Sequence, residues 1–209
     1  MNTVDLLAVA QAAYRINGNA LLKDTRNDLI ANGVLVKAHL AGTTKLELIP
    51  DDTDQATAIK SYISQRVMLS RLIGKPLGDF VEQIGDLLEK EQVNKKNAGI
   101  LAWAPKVYAD MIKADDNSQD IARIATTSRY IGKVGDKVEL EFHTIIKRWN
   151  ANYNCYRYTG HDGKGNLIGF LCKNDYPAII KLKARIKACE ESRFTNGRTT
   201  YINYTKEIK

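Results

Sequence analysis

Four cations recur at every second position near the carboxyl end: Lys181, Lys183, Arg185 and Lys187, separated by Leu182, Ala184 and Ile186. On a strand rising about 3.3 Å per residue, such side chains share one face and repeat every ~6.6 Å. At that spacing, successive charged groups can follow the phosphates of an extended polynucleotide. Cations also sit beside rings, Arg148 next to Trp149, Tyr153 four residues before Arg157, and Arg193 next to Phe194, with Arg198 close behind. Cations that neutralise phosphates, mixed with rings that stack on unpaired bases, are the chemistry of single-stranded nucleic-acid binding. Trp149, Tyr153 and Phe194 are the expected stacking platforms. Arg148, Arg157, Arg193 and Arg198 are the expected phosphate contacts or guanidinium stackers, with the four alternating cations as a backbone track and Lys173 as a weaker addition. The plainer alternative is an exposed strand edge kept from self-pairing by positive charge, with rings that only pack.

The charge distribution favours the first reading. Residues Met1–Ala125 hold 15 Lys and Arg against 16 Asp and Glu, whereas Thr126–Lys209 hold 16 against 8, so the net +7 of the chain lies entirely in its last 84 residues. That segment also carries 11 of the 16 aromatic residues. A basic, ring-rich segment joined to a neutral one is an electrostatic footprint for an acidic ligand.

Other chemistries find less support. Cys155, Cys172 and Cys189 are 17 residues apart with no C-x-x-C pair, and His39, His143 and His161 are scattered, so neither a disulfide framework nor a metal site is expected. The phosphate-loop, dinucleotide and H-E-x-x-H patterns are missing. His161-Asp162 falls in a glycine-rich turn, with no partner spaced for acid–base work. No catalytic residue and no cofactor is expected. The longest apolar runs, Leu6–Ala10 and Ile100–Ala104, fall far short of the roughly 20 residues of a membrane span. Residues Met1–Ala10 have no basic cluster ahead of an apolar core, so the cytoplasm is the expected compartment, a host's cytoplasm for a phage-encoded chain.

The elements that must position these residues follow from periodicity. An α+β chain is expected, with a mainly helical domain over 1–125 and a β domain over 126–209. Helices are expected over Val4–Ile16, stopped by Asn17-Gly18, over Asn19–Ala31, and from Asp54 to about Ile73. Two more are expected over Leu77–Val93 and Asn97–Lys113, with Pro105 breaking or kinking the latter, and Ser118 should cap a short helix through Ala125. Alternation around Val34–Ala38 and Leu46–Leu48 suggests a short hairpin. Beyond Gly132, five strands are expected: around Val138–Lys147, Tyr153–Thr159, Leu167–Lys173, Lys181–Cys189 and Thr199–Ile208. The G-H-D-G-K-G-N run of Gly160–Asn166 turns the second into the third, and Pro177 lies in the connection before the fourth. Arg148 and Trp149 fall in the expected first loop, and Arg193, Phe194 and Arg198 in the last.

Five strands with an irregular link between the third and fourth have the proportions of an OB-fold barrel. The stretches SRYIGKVGDKVELEF, YRYTGHDGKGNLIGFL and KARIKACEESRFTNGRTTYINY resemble the OB-fold domains of phage and mobile-element single-stranded DNA-binding proteins over Ser128–Lys209, 82 of 209 residues. The resemblance implies a non-enzymatic role in replication or recombination and a site on strands two and three with the adjoining loops. One departure stands out: TYINYTKEIK is basic, whereas the bacterial members carry an acidic tail that recruits partners. Replication or host proteins would then be recruited through the helical domain. The sequence leaves open single-stranded RNA as ligand, and use of the barrel as a protein-docking module. An enzyme with its site between the domains has only unclustered carboxylates in its favour.

Overall fold

The first helix starts at the residue that caps it. Asn2 accepts a hydrogen bond from the Val4 N–H (2.8 Å), and α1 runs over Thr3–Ile16 with Asp5 in its first turn and Arg15 in its last, matching the helix dipole. The computed structural model describes residues 1–26 and 28–208. The chain divides into two compact units, Met1–Ile112 and the residues from Lys113 onward. Among the described residues, no helix is long and apolar enough to cross a membrane.

In the first unit α1 is followed by α2 (Asn32–Ala41), α3 (Pro50–Leu72), α4 (Asp79–Leu88), α5 (Ala98–Leu101) and the start of α6 (Ala104–Ala125). Leu6, Leu7 and Ala10 of α1 pack with Leu35 and Val36 of α2, Ile59, Ile63 and Val67 of α3, and Ile84 and Leu88 of α4. The crossing of α3 and α4 needs Gly85, where a Cβ would lie 2.8 Å from a Val67 methyl. Buried Asp52 starts α3: it accepts from the Ile49 N–H (3.0 Å) and from Arg15 Nε and a terminal nitrogen (3.0 and 2.9 Å). Burial pushes its pKa up, but the Arg15 and Ile49 donors more than offset this and hold it below the usual carboxylate range.

Several expected elements take another form. Asn19–Ala31 is not a helix among its described residues; Asn27, which falls within the expected span, lies outside them. Asn19 and Asp28 adopt left-handed φ of 56° and 67°, and the Asn32 side chain takes the place of helical bonding by accepting from Leu22 N–H (2.8 Å) and donating to Ala20 C=O (3.2 Å). The expected hairpin at Val34–Ile49 is instead α2 and a loop. Burial of the adjacent Leu35 and Val36 against α1 overrides a weak alternation, and Gly42 ends the helix at φ +75°. α3 begins four residues before Asp54, with Pro50 at its first position, where a missing N–H costs nothing. The helix expected over Asn97–Lys113 is broken, as Pro105 predicts: α5 ends at Leu101 and α6 begins at Ala104, with Pro105 at its second residue, in the first turn. Ser118 lies inside α6, its hydroxyl bonded to the Ala114 carbonyl (2.8 Å), and caps nothing.

The second unit holds the end of α6 and five strands: β1 (Lys137–Asn150), β2 (Cys155–Asp162), β3 (Leu167–Cys172), β4 (Ile179–Ser192) and β5 (Gly197–Glu207). They close into a barrel in the order β1-β2-β3-β5-β4, with β3 and β5 parallel and all other pairs antiparallel. This closed five-stranded barrel is compatible with an OB-fold. Phe142, Tyr158, Ile168, Phe170, Ile180, Leu182, Ile186 and Ile202 fill it. The Tyr158 ring stacks on Phe170 (4.8 Å between centroids), and its buried hydroxyl is satisfied, donating to Asn174 C=O (3.0 Å) and accepting from Tyr176 N–H (2.8 Å). The Asp162 carboxylate organises the β2–β3 turn by accepting from the Lys164 and Asn166 amides (3.0 and 2.8 Å). The β1–β2 ladder shifts register between Thr144 and Ile146, opposite Gly160, where a Cβ would stand 1.9 Å from the His143 carbonyl oxygen. Glycine is required there.

Candidate nucleic-acid interface

Arg148 and Arg157 are direct cross-strand partners on the outer face of β1 and β2. Trp149 and Tyr156 are the next pair along, on the other face of the ladder. Like charges placed opposite each other destabilise a sheet, and neither arginine has an ion-pair partner among the described residues. The Arg157 guanidinium lies over the Phe194 ring, 4.0 Å from its centroid, a cation–π contact that extends a flat ledge from β2 to the β4–β5 loop. Phe194 is 74% exposed, so the ring is held out in solvent rather than packed.

These groups line a cleft of about 570 Å³ whose far wall is the last turns of α6, Ser118, Ile121, Ala122 and Ala125. Ile146 and Thr159 complete its floor, and among the described residues no Asp or Glu lines it. Gly197 sets the wall's position: a Cβ there would fall 2.9 Å from Ala125 Cα, so the β4–β5 hairpin and the end of α6 approach backbone to backbone. Arg157 also borders a second cleft of about 470 Å³, with Tyr153, Leu171, Lys187, Tyr201 and Asn203, where Glu190 is the one carboxylate among the described lining residues. The Tyr201 ring covers Gly169, whose missing side chain makes room for it, and its hydroxyl bonds Ser192 (2.7 Å). The two clefts share Arg157 as a lining residue, and taken together as a candidate furrow they carry Arg148, Arg157 and Lys187 with the rings of Phe194, Tyr153 and Tyr201.

The expected site residues divide accordingly. Arg148, Arg157 and Phe194 line the first cleft of the furrow, and Tyr153, Arg157 and Lys187 the second. Trp149 does not: its ring packs edge-on against Tyr156 (4.9 Å), with Lys147 over the same tyrosine, on the other side of β1. Arg148 and Trp149 belong to the end of β1 and not to a loop, which is the short turn Ala151–Tyr153. Lys181, Lys183, Arg185 and Lys187 do alternate outward, each exposed, with buried Ile180, Leu182, Ala184 and Ile186 before them and a half-buried Ala188 after. Lys181 and Lys183 stand opposite Glu141 and Glu139, and Lys183 Nζ is 2.8 Å from Glu139. Lys173, Arg193 and Arg198 are exposed and line neither cleft. Sequence reasoning missed Tyr201 and the α6 wall; the wall had no signal, because α6 reads as an ordinary amphipathic helix.

Near the furrow, His161 stacks on His143 (4.8 Å, 15° between planes). Burial, and then the neighbouring His143, lower its pKa below the usual histidine value. The three cysteines are free, and among the described residues no group of three or more His, Cys, Asp or Glu side chains is placed to hold a metal ion. Comparisons with protein-family models, curated proteins and solved structures give no match to this chain.

Proposed function

We propose that the chain is a non-enzymatic binder of single-stranded DNA, of the kind that phage and mobile elements use in replication and recombination, and that the furrow holds the strand. The observation that carries this reading is the facing pair Arg148 and Arg157, without a carboxylate partner among the described residues and with Phe194 stacked beneath Arg157. Two phosphates would relieve the repulsion of the arginines, while Phe194, Tyr153 and Tyr201 offer π-faces that any unpaired base can use. A duplex keeps its bases stacked on one another and cannot use those rings. The resemblance of Ser128–Lys209 to phage single-stranded DNA-binding domains supports the same role. Fluorescence anisotropy of labelled single-stranded DNA, single-stranded RNA and duplex over a salt series tests it. Single-stranded DNA is expected to bind at least tenfold more tightly than duplex, with affinity falling steeply as salt rises; equal affinities would refute the proposal, and preference for the RNA would reassign the ligand.

A second reading, recruitment of replication or host proteins by the helical unit, has one observation in its favour. Met68, Leu69, Leu72 and Ile73, at the end of α3 and just past it, are about half exposed or more, and apolar patches of this kind mark contact surfaces. Changing Leu72 and Ile73 to serine would abolish recruitment and leave strand binding intact.

A further inference from the structure

Resting on the reading of the furrow as a strand site, we infer that the strand continues past Lys187 onto a second groove, between β1, β4 and β5, centred on Tyr204. The groove, about 370 Å³, is lined by Lys137, Lys183, Arg185, Tyr204 and Lys206. Its charges are arranged against the barrel's own stability. Lys137 faces Arg185 across the β1–β4 ladder, and Lys183 faces Lys206 across β4–β5, so two like-charge pairs sit side by side. Among the described residues, Lys183 alone of these four cations has an ion-pair partner, Glu139 (2.8 Å). A polyanion laid along the groove relieves both repulsions.

Tyr204 gives the groove its second chemistry. It is 77% exposed, and its backbone is held at φ +51°, a left-handed conformation that a bulky non-glycine residue adopts only at a cost. The β4–β5 ladder shifts register twice nearby, between Lys183 and Arg185 and between Ile186 and Ala188. Bulges of this kind re-aim side chains, and here a ring stands in solvent amid four cations. Packing does not require it there; a base stacked on it would use it.

Continuity comes from β4. Lys187 lines the furrow, while Arg185 and Lys183, successive members of the same outward row about 6.6 Å apart, line the Tyr204 groove. A strand that leaves the furrow at Lys187 meets the next cation one phosphate step on. The furrow alone accounts for a short segment, and furrow plus groove for a longer one, within the roughly 4–16 nucleotides that one such barrel engages.

The test uses the full chain, with single-stranded DNA of about 6 and about 20 nucleotides, lengths that bracket that range. Arg185→Gln with Lys206→Gln removes one member of each like-charge pair and leaves the furrow untouched. Tyr204→Gly removes the ring and suits the left-handed backbone. The charge variant is expected to bind the 20-mer about tenfold or more weakly and to lower its salt slope by about 1.4, at ~0.7 per phosphate contact on single strands. Tyr204→Gly is expected to weaken the 20-mer roughly 5- to 150-fold, the range for losing one stacked base. Both variants should bind the 6-mer within about twofold of the parent chain. Parent-like binding of both lengths by both variants overturns the inference and leaves the furrow standing. Equal losses on both lengths overturn it as well. Failure of the parent chain to bind either length overturns both the inference and the furrow reading.

Discussion

Replacing Phe194 with alanine probes the furrow where the geometry is most specific. The ring is 74% exposed, so its removal forfeits little buried surface; the fold loses chiefly its contact with Arg157 at 4.0 Å. An exposed cation–π contact contributes about 0.5–1 kcal/mol. At about 4–8 °C per kcal/mol for a unit of this size, the melting temperature should fall by a few degrees. Binding loses a stacking platform, about 1–3 kcal/mol, which is roughly a 5- to 150-fold increase in Kd. The slope of log Kd against log salt should stay as in the parent chain, because no charge has been removed. Arg157→Gln should weaken binding by a similar factor, and the double variant should lose less than the two single losses combined, since each change disrupts the same ledge. Anisotropy of a labelled 12-nucleotide strand reads affinity and salt slope for all three variants, and a thermal melt reads the stability. A Phe194→Ala chain that unfolds near its parent's temperature and binds within about twofold of it would refute the reasoning, because an exposed ring with no effect on affinity has no base upon it.

Three further outcomes follow from the same geometry. Arg148→Gln should reduce the salt slope by about 0.7, one phosphate contact on a single strand, while relief from facing Arg157 leaves stability equal or higher; a melting-temperature loss with an unchanged slope would contradict this. Gly160→Ala should cost at least ~3 kcal/mol and lower melting by of order 10–20 °C, because a Cβ 1.9 Å from the His143 carbonyl forces β1 and β2 apart; a parent-like melting curve would count against the register. His161, whose pKa is lowered in the folded chain, takes up protons more readily when unfolded. Its contribution to stability should therefore be complete above about pH 6.5 and decline as pH falls below that value toward the folded pKa, and His161→Gln should flatten the curve there; an unchanged pH profile in the variant would rule this out.

The barrel was legible because each strand carries its own signal. Lys181–Lys187 alternates without a break with buried Leu182, Ala184 and Ile186, and the glycines and Asp162 between β2 and β3 permit little but a turn. The helical unit was read less well where tertiary contacts outweigh local pattern: Leu35 and Val36 are adjacent, so their burial against α1 mimics no period, and the course of the chain around Ala20–Leu22 depends on Asn32, well beyond it in sequence. For the site, residue type was informative and side was not. Arg148 and Trp149 are neighbours in sequence and point to opposite faces because both lie in a strand that extends three residues further than its pattern suggests. Tyr204 is exposed in the groove because of bulges in a ladder whose register no single strand reveals.

The most direct measurement is an amide and arginine-side-chain NMR titration of the full chain with a short single-stranded DNA. Shifts concentrated at Arg148, Arg157, Phe194, Tyr153 and Lys187, with the Arg157 Nε–H among the largest, are expected. Shifts confined to the helices of Met1–Ile112, with these residues silent at saturation, would contradict the account.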